Sequence, residues 1–324
     1  MMYHDLTLRD GSHAISHKLT KEMIEEYCIF AESAGINVIE VGHGNGIGAS
    51  SILIGESLLS DYEMITIAKK HLKNTKLSIH IIPGLATINK DINQAILLGV
   101  DIFRIACHCT EASLTKTHIE YLSEKGKTVY GVLMMSASCS VETLYNEASK
   151  MKSYGANAII IMDSSGSYKP YEVSERIELL VTLGIPIGFH GHNNLHLAVA
   201  NSLAAIESGA SIIDVTLRGF GAGAGNTPLE IMAVLHESKC LNKDKILEFC
   251  DNFKIPTPIC KPINILTSKY KLFSGFEKHI LTASTKYNIS YITLINEIGK
   301  QEIIAGQEDF IYVLAKSLQS SQTS

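Results

Sequence analysis

Eight short apolar runs recur along the chain up to residue 217, and their spacing constrains the fold more than any other feature. They begin about 25 to 40 residues apart, which is the length of one strand–helix unit. Several are nearly continuous apolar stretches, as is typical of strands buried on both faces of a parallel sheet. The predicted strands are Tyr3–Leu8, Val38–Gly42, Leu77–Ile82, Ile102–Ala106, Thr128–Met134, Ala158–Met162, Ile185–Phe189 and Ile212–Leu217.

The segments between these runs carry helix signals. Thr20 is a predicted N-cap, apolar residues follow it at spacings of three and four, and Gly35 supplies the stop. The stretch 195–208 has the same character and ends at Gly209. Eight such units predict an α/β fold, a closed (β/α)₈ TIM barrel. An open, doubly wound sheet is the alternative that eight strands also permit.

The alternation stops after Leu217, and a helical tail follows. Pro256, Pro258 and Pro262 lie between the two parts, and prolines of this kind mark a boundary. We therefore predict a barrel at residues 1–255 and a small C-terminal helical domain at residues 256–324. The helices predicted after residue 217 are 246–252, at the end of the barrel part, and 281–287, 292–299 and 310–318 in the tail.

Composition excludes several classes of protein. Hydrophobic residues make up 46% of the chain and charged residues 19%, which excludes a disordered chain. The formal net charge of −5 argues against nucleic acid as a partner. The longest apolar runs are far shorter than the roughly 18 residues that span a bilayer, and the first residues do not resemble a signal peptide. We therefore expect a cytoplasmic protein without a membrane partner.

Polar residues concentrate after the predicted strands, where a barrel carries its chemistry. His190 and His192 follow the seventh strand, and side chains two apart on an extended segment point the same way. Two imidazoles and a carboxylate suit a divalent first-row metal. Asp10, at the end of the first strand, is the natural third ligand. The alternative is a pair of exposed loop histidines.

Three other polar residues lie near this rim. Arg9 and Asp10 are neighbours on a predicted strand, where adjacent side chains face opposite ways, so we do not expect them to pair. Arg9 is suited to stabilising a negative charge and His13 to moving a proton, although a structural Arg–Asp pair remains open. His43 is expected to be an exposed residue at a strand end, with a place in the pocket as the alternative.

Sequence motifs at and near these strand ends resemble those of one protein family. The strings DLTLRDGSHAISH (5–17), IEVGHGNG (39–46), CHCTEA (107–112), HGHN (190–193), GAGAGNTPLE (221–230) and GQED (306–309) are similar to the 4-hydroxy-2-oxovalerate aldolases. These aldolases belong to a metal-dependent superfamily that also includes isopropylmalate synthase and HMG-CoA lyase. The resemblance runs from about residue 3 to about residue 316. It implies a class II lyase that releases pyruvate and an aldehyde from a 4-hydroxy-2-oxo acid.

The resemblance also implies roles for individual residues. Asp10, His190 and His192 would hold a divalent ion, typically Mn²⁺, with His190 also lying against the substrate. Arg9 would steady the enolate oxygen, and His13 would take the proton from the 4-hydroxyl. Ser164 matches a position that contacts the substrate acid, and Asn226 one that supplies a further metal ligand in wider relatives.

The family's C-terminal helices dock an acylating aldehyde dehydrogenase. The resemblance therefore implies that partner, and we expect an oligomer.

This sequence departs from the family at three positions that bear on the substrate. Phe273 stands where the family has a tyrosine, and Tyr270, one turn away, is a candidate substitute for the missing hydroxyl. His80 replaces a leucine that shapes the aldehyde end of the pocket, which indicates a more polar or acidic substrate. Asn193 replaces the more usual histidine. Two alternatives remain, a Claisen-type condensing enzyme or lyase that uses an acyl-CoA, and a catalytically silent partner subunit.

Overall fold

The fold is a closed barrel of eight parallel strands that pair in chain order, with the first strand against the last. The computed structural model describes residues 1–236, 241–301, 303–304 and 306–322. The closed barrel confirms the predicted fold class and excludes the open sheet. The strands are β1 Met2–Asp5, β2 Val38–Glu40, β3 Lys76–Ile81, β4 Ile102–His108, β5 Thr128–Met134, β6 Ala158–Asp163, β7 Ile187–Gly191 and β8 Ile212–Val215.

Helices surround the barrel and continue into the tail. No helix in the described ranges is both long enough and apolar enough to cross a membrane. The barrel helices are α1 Lys21–Ala34, α2 Asp61–His71, α3 Asn93–Leu97, α4 Lys116–Glu124, α5 Val141–Ser153, α6 Pro170–Val181, α7 Ala198–Glu207, α8 Leu229–Leu235 and α9 Lys243–Asn252. The tail helices are α10 Pro262–Lys269, α11 Glu277–Tyr287, α12 Tyr291–Ile298 and α13 Glu308–Gln322.

The predicted helix signals act as expected in α1. The Thr20 side chain accepts a hydrogen bond from the backbone N–H of Met23, and Gly35 ends the helix with φ of 74°. Sequence patterns missed α10, because Pro262 was interpreted as part of a boundary. In the structure Pro262 occupies the first turn of that helix, where its missing N–H costs nothing.

The tail has an apolar core of its own and lies over the carboxyl end of the barrel. Ile263, Phe276 and Ile295 belong to a cluster separate from that of the barrel. Hydrogen bonds join the two parts, including a backbone bond from Ser274 N–H to Ser164 O at 2.9 Å and one from the Asn194 amide nitrogen to Asn264 O at 3.2 Å. The tail is thereby held against the loops that follow the strands. The exact boundary at residue 255 stays a prediction.

The turn after β1 is fixed by a buried hydrogen-bonded group. The Asp5 carboxylate accepts hydrogen bonds from the backbone and hydroxyl of Thr7 at 2.8 and 2.6 Å, and the Tyr27 hydroxyl donates to it from α1. The Thr7 hydroxyl in turn accepts from Leu217 N–H at 2.8 Å. This group ties β1, α1 and the end of β8 together just before Arg9.

Tyr27→Phe is expected to lower the free energy of unfolding by about 1–3 kcal/mol, because it leaves buried acceptors unsatisfied. Urea denaturation of the intact chain measures this loss. Tyr171→Phe is the matched control, because Tyr171 is exposed, and it should change stability by less than about 0.5 kcal/mol. Equal stability of the two variants would show that the group does not hold the turn.

Candidate metal centre and active site

Asp10, His190 and His192 meet at the carboxyl end of the barrel. His190 lies in β7, His192 follows it, and Asp10 begins a short turn after β1. One ligand atom from each residue lies within 4.8 Å of the others. Nε2 of His190 is 3.3 Å from Nε2 of His192 and 3.9 Å from Oδ2 of Asp10. The three residues form a buried group that can hold a metal ion.

The protonation states of this group suit metal ligation. Nδ1 of His190 lies 3.1 Å from Oδ2 of Asp214, and a carboxylate only accepts, so Nδ1 carries the proton and Nε2 is free. Burial lowers the pKa of His192 to about 3, so its ring is neutral. Burial alone would raise the pKa of Asp10, but the Arg9 guanidinium outweighs it and holds that pKa well below its usual value. Two imidazoles and a carboxylate are a common ligand set for divalent first-row metals.

Arg9 is clamped beside this group. Its Nε donates to Glu40 at 2.7 Å, and its Nη1 donates to Asp10 at 2.7 Å and to the carbonyl of Gly44 at 3.1 Å. Its Nη2 is buried and has no hydrogen-bond partner in the described chain. The expectation that Arg9 and Asp10 do not pair was wrong. β1 ends at Asp5, so the two residues lie in a turn rather than on opposite faces of a strand.

Asn226 lies against the metal-binding group. It is paired with His192 through an isolated backbone bridge and is 2% exposed. Neither polar atom of its amide has a hydrogen-bond partner within residues that the structure describes. A buried amide without partners is costly, and an ion or a substrate at this site would satisfy it.

His13 faces a cavity of about 560 Å³ that opens beside the metal-binding group. Ala222, which also lines the cavity, donates its N–H to Asp10 at 3.1 Å, so the metal-binding group lies behind the cavity wall, although its three residues do not line the cavity themselves. The His13 ring is 6.3 Å from that of Phe273. Burial lowers the pKa of His13 below its ordinary value, although the Asp10 carboxylate opposes this shift. A neutral imidazole in this position is able to accept a proton.

Two further histidines stack beside His13, and the sequence singled out only one of them. The rings of His17 and His43 are stacked 3.6 Å apart. His43 is fully buried, so the expectation of an exposed residue was wrong: its Nδ1 accepts from Asn45 N–H and its Nε2 donates to Gly55 O. Burial lowers the pKa of His43 to about 4 and that of His17 to about 2. Both rings are neutral.

Of the remaining residues that the sequence singled out, Ser164 has a hydroxyl able to donate, whereas His80 and Tyr270 lie outside the cavity lining. The Ser164 hydroxyl oxygen accepts from Met135 N–H at 2.9 Å, which leaves its hydrogen able to donate. His80 lies in β3 and is absent from the cavity lining; it is buried near Arg9 and Glu40, and burial lowers its pKa to about 3. Tyr270 donates to Asn296 at 2.8 Å within the tail. Its hydroxyl therefore does not replace the phenol that Phe273 lacks.

The HMGL-like family profile matches residues 1–251, and a DmpG-like communication domain profile matches residues 264–320. The chain belongs to the HMGL-like family. A curated relative within it, the "4-hydroxy-2-oxovalerate aldolase" of Pectobacterium atrosepticum, is 48% identical over 97% of this chain and 94% of that protein. A protein of the same name from Spirochaeta aurantia is 46% identical over 98% of this chain and 95% of its own length.

Solved structures with the same fold include one of low sequence identity to this chain. The carboxyl transferase domain from Rhizobium etli pyruvate carboxylase, with pyruvate and biocytin, superposes with a TM-score of 0.82 at 15% identity. The match covers 99% of this chain and 60% of that one, so the HMGL-like chain spans about three fifths of it. At this identity the likeness shows the fold alone. The curated relatives place the chain among the carbon–carbon lyases of the family.

Proposed function

We propose that this protein is a metal-dependent aldolase that cleaves a 4-hydroxy-2-oxo acid to pyruvate and an aldehyde. The observation that carries the proposal is the buried Asp10, His190 and His192 group, with an unpartnered guanidinium nitrogen of Arg9 beside it. The curated relatives are named for this reaction class. Mn²⁺ is the proposed ion, held by these three residues, with the Asn226 amide as a candidate further ligand.

The residues around the group account for binding of a 2-oxo acid. When bound, a divalent ion supplies Lewis-acid attraction for the oxygens of such an acid. The Ser164 hydroxyl has a hydrogen left to donate to the substrate carboxylate. The free Nη2 of Arg9 is positioned by three hydrogen bonds on the rest of its guanidinium, so it meets negative charge without reorganising.

In the proposed reaction His13 transfers the proton and Arg9 stabilises the developing negative charge. The neutral His13 imidazole takes the proton from the substrate 4-hydroxyl as the C3–C4 bond breaks and the aldehyde departs. The electron pair of that bond becomes the enolate of pyruvate, and Arg9 stabilises the charge on its oxygen. The His13 imidazolium returns its proton to C3 of the enolate, which completes pyruvate and restores the base.

Two residues are proposed to set the aldehyde end of the substrate. Phe273 lines the cavity next to His13 and presents no hydroxyl there. His80 of β3 does not line the cavity, but its buried polar ring lies near Arg9, which is proposed to meet the substrate. Lys278 of the tail lines the same cavity, where its Nζ lies 3.4 Å from Oγ of Ser16. The polar groups of Lys278 and His80 support a substrate whose aldehyde end is more polar or acidic than that of 4-hydroxy-2-oxovalerate.

The tail supports a proposed partner. Its communication-domain match favours an acylating aldehyde dehydrogenase that receives the aldehyde. The cavity is lined by Lys278, His279 and Thr282 of α11 as well as by barrel residues, so it reaches from His13 into the tail. Such a cavity is suited to passing a small product toward a protein docked on these helices. A stable assembly with that partner is part of the proposal.

The test is pyruvate release by metal-stripped and Mn²⁺-reloaded protein, offered 4-hydroxy-2-oxovalerate and a panel of longer and acidic 4-hydroxy-2-oxo acids. Metal-dependent pyruvate from any of them supports the proposal, and the best substrate defines the aldehyde. No pyruvate from any substrate, with the metal demonstrably bound, would refute it. The acyl-CoA condensing enzyme is not favoured, because the curated relatives are named as aldolases; CoA-dependent turnover would reverse that preference.

The pH profile gives a separate check on the proposed base. The pKa of His13 is lowered from its ordinary 6.5, so the neutral form persists below that pH. Activity is present above the lowered pKa and is lost as the pH falls through it. The acid limb of kcat/KM is therefore expected below pH 6.5. An acid limb at or above that value would contradict a base in this environment.

A further inference from the structure

A closed ring of paired polar side chains, five of them charged, runs through the barrel interior and includes two residues of the proposed metal centre. Arg104 of β4 is fully buried and donates to both oxygens of Asp214 on β8, at 3.0 and 2.5 Å. Its Nε makes no hydrogen bond to the described residues but forms an ion pair with Oε2 of Glu40 on β2 at 3.4 Å. We call the set the charge ring; its members are Asp10, Arg9, Glu40, Arg104, Asp214 and His190.

Two active-site residues, Arg9 and the proposed metal ligand His190, are each oriented by a carboxylate of this ring. On one side Glu40 accepts from Nε of Arg9 at 2.7 Å, which leaves Nη2 of Arg9 free at the site. On the other side Asp214 lies 3.1 Å from Nδ1 of His190, which frees Nε2 for a metal. Arg104 is the cation that joins the two carboxylates.

The electrostatics agree with the geometry. Burial alone would raise the pKa of Glu40, but the Arg104 and Arg9 guanidiniums outweigh it and lower that pKa to about 2. Burial would raise the pKa of Asp214 as well, and Arg104 outweighs it there too. Three carboxylates against two guanidiniums leave one net negative charge in the ring, which a divalent cation reverses. A 2-oxo acid anion then meets a positive site.

We propose that Arg104 is a positioning residue that acts through Asp214 on the metal ligand His190 and through Glu40 on Arg9. The proposal rests on the function proposed above. It goes further because it couples metal affinity and enolate stabilisation through one side chain that belongs to neither the metal-binding group nor the cavity lining. Outer partners that orient a metal-ligating histidine typically change metal affinity or activity 10–100-fold when replaced.

The experiment uses the full chain and three variants, with Mn²⁺ affinity measured by titration of the metal-stripped protein and kcat measured at saturating Mn²⁺. Arg104→Lys keeps the charge but cannot bridge both carboxylates, so it should weaken Mn²⁺ binding about 10-fold and lower kcat about 10-fold. Asp214→Asn should chiefly weaken Mn²⁺ binding. Glu40→Gln should chiefly lower kcat, with Mn²⁺ affinity within about 3-fold of the parent protein.

Arg176→Lys is the matched control. Arg176 is buried on α6, away from the ring, and donates to the carbonyls of Glu172 and Cys139. This variant should retain Mn²⁺ affinity and kcat even if it unfolds at a lower temperature. If Arg104→Lys does not fold, the two isosteric carboxylate variants still test the two arms of the ring.

The outcomes are distinguishable. An Arg104→Lys protein that changes only in thermal stability, like the control, overturns the proposal, as does a change in only one of the two readouts. If the isosteric variants leave both readouts unchanged, the ring is structural only. If the parent protein binds no Mn²⁺ or releases no pyruvate, the proposed function fails first, independently of Arg104.

Discussion

His192→Ala is expected to remove divalent-metal binding and, with it, metal-dependent pyruvate release. His192 is one of three residues whose ligand atoms converge, and its Nδ1 has no hydrogen-bond partner among the described residues. Replacing His192 therefore removes few hydrogen bonds within the protein, and its main effect is the loss of a metal ligand. We expect Mn²⁺ affinity to fall by more than the roughly 10–100-fold that loss of an outer partner costs.

The measurement is Mn²⁺ titration of metal-stripped protein, followed by the pyruvate assay on the same sample. His80→Asn is the matched control for metal binding, because His80 is also a buried, neutral histidine of the barrel with an unpartnered Nδ1. Its Mn²⁺ affinity should match that of the parent protein. Retention of stoichiometric, tight Mn²⁺ binding by His192→Ala would place the metal elsewhere.

The sequence predicted the parts of this site that depend on strand ends. His190 and His192 follow a continuous apolar run, and Asp10 follows another. Because residues that follow the strands of a TIM barrel lie at its carboxyl end, the three are expected at one rim. This expectation holds for the three residues even though β1 ends at Asp5, three residues before its predicted end. That small error had a chemical consequence, because the turn it concealed is what allows Arg9 to reach Asp10.

The interior partners were not predictable in the same way. Arg104 lies within an apolar run, and its partner Asp214 is 110 residues further along the chain. Their contact requires that the barrel close and that β4 and β8 point these side chains inward at a shared depth. Hydrophobic patterning gives strand positions but not such a pairing across the barrel. The stacking of His17 on His43 likewise depends on the path of the loop after β2.

His13→Ala is expected to lower kcat by about 10²–10⁴-fold while Mn²⁺ affinity stays within about 3-fold of the parent protein. His13 faces the cavity beside the metal-binding group without belonging to it, so the chemical step and metal binding separate in this variant. The acid limb of the pH profile should also disappear, because the group that titrates there is gone. Single-turnover pyruvate release across pH measures both effects.

The neighbouring histidines are unable to take over the role of His13. His43 uses both ring nitrogens in hydrogen bonds to the backbone, and His17 accepts from Gly44 N–H and bonds the backbone of Ile54. Protonating either ring would break such a bond within a buried stack. His118→Ala, on α4 and outside the cavity lining, is the matched control and should keep kcat. A His13→Ala protein that retains both kcat and the acid limb would show that another group removes the proton.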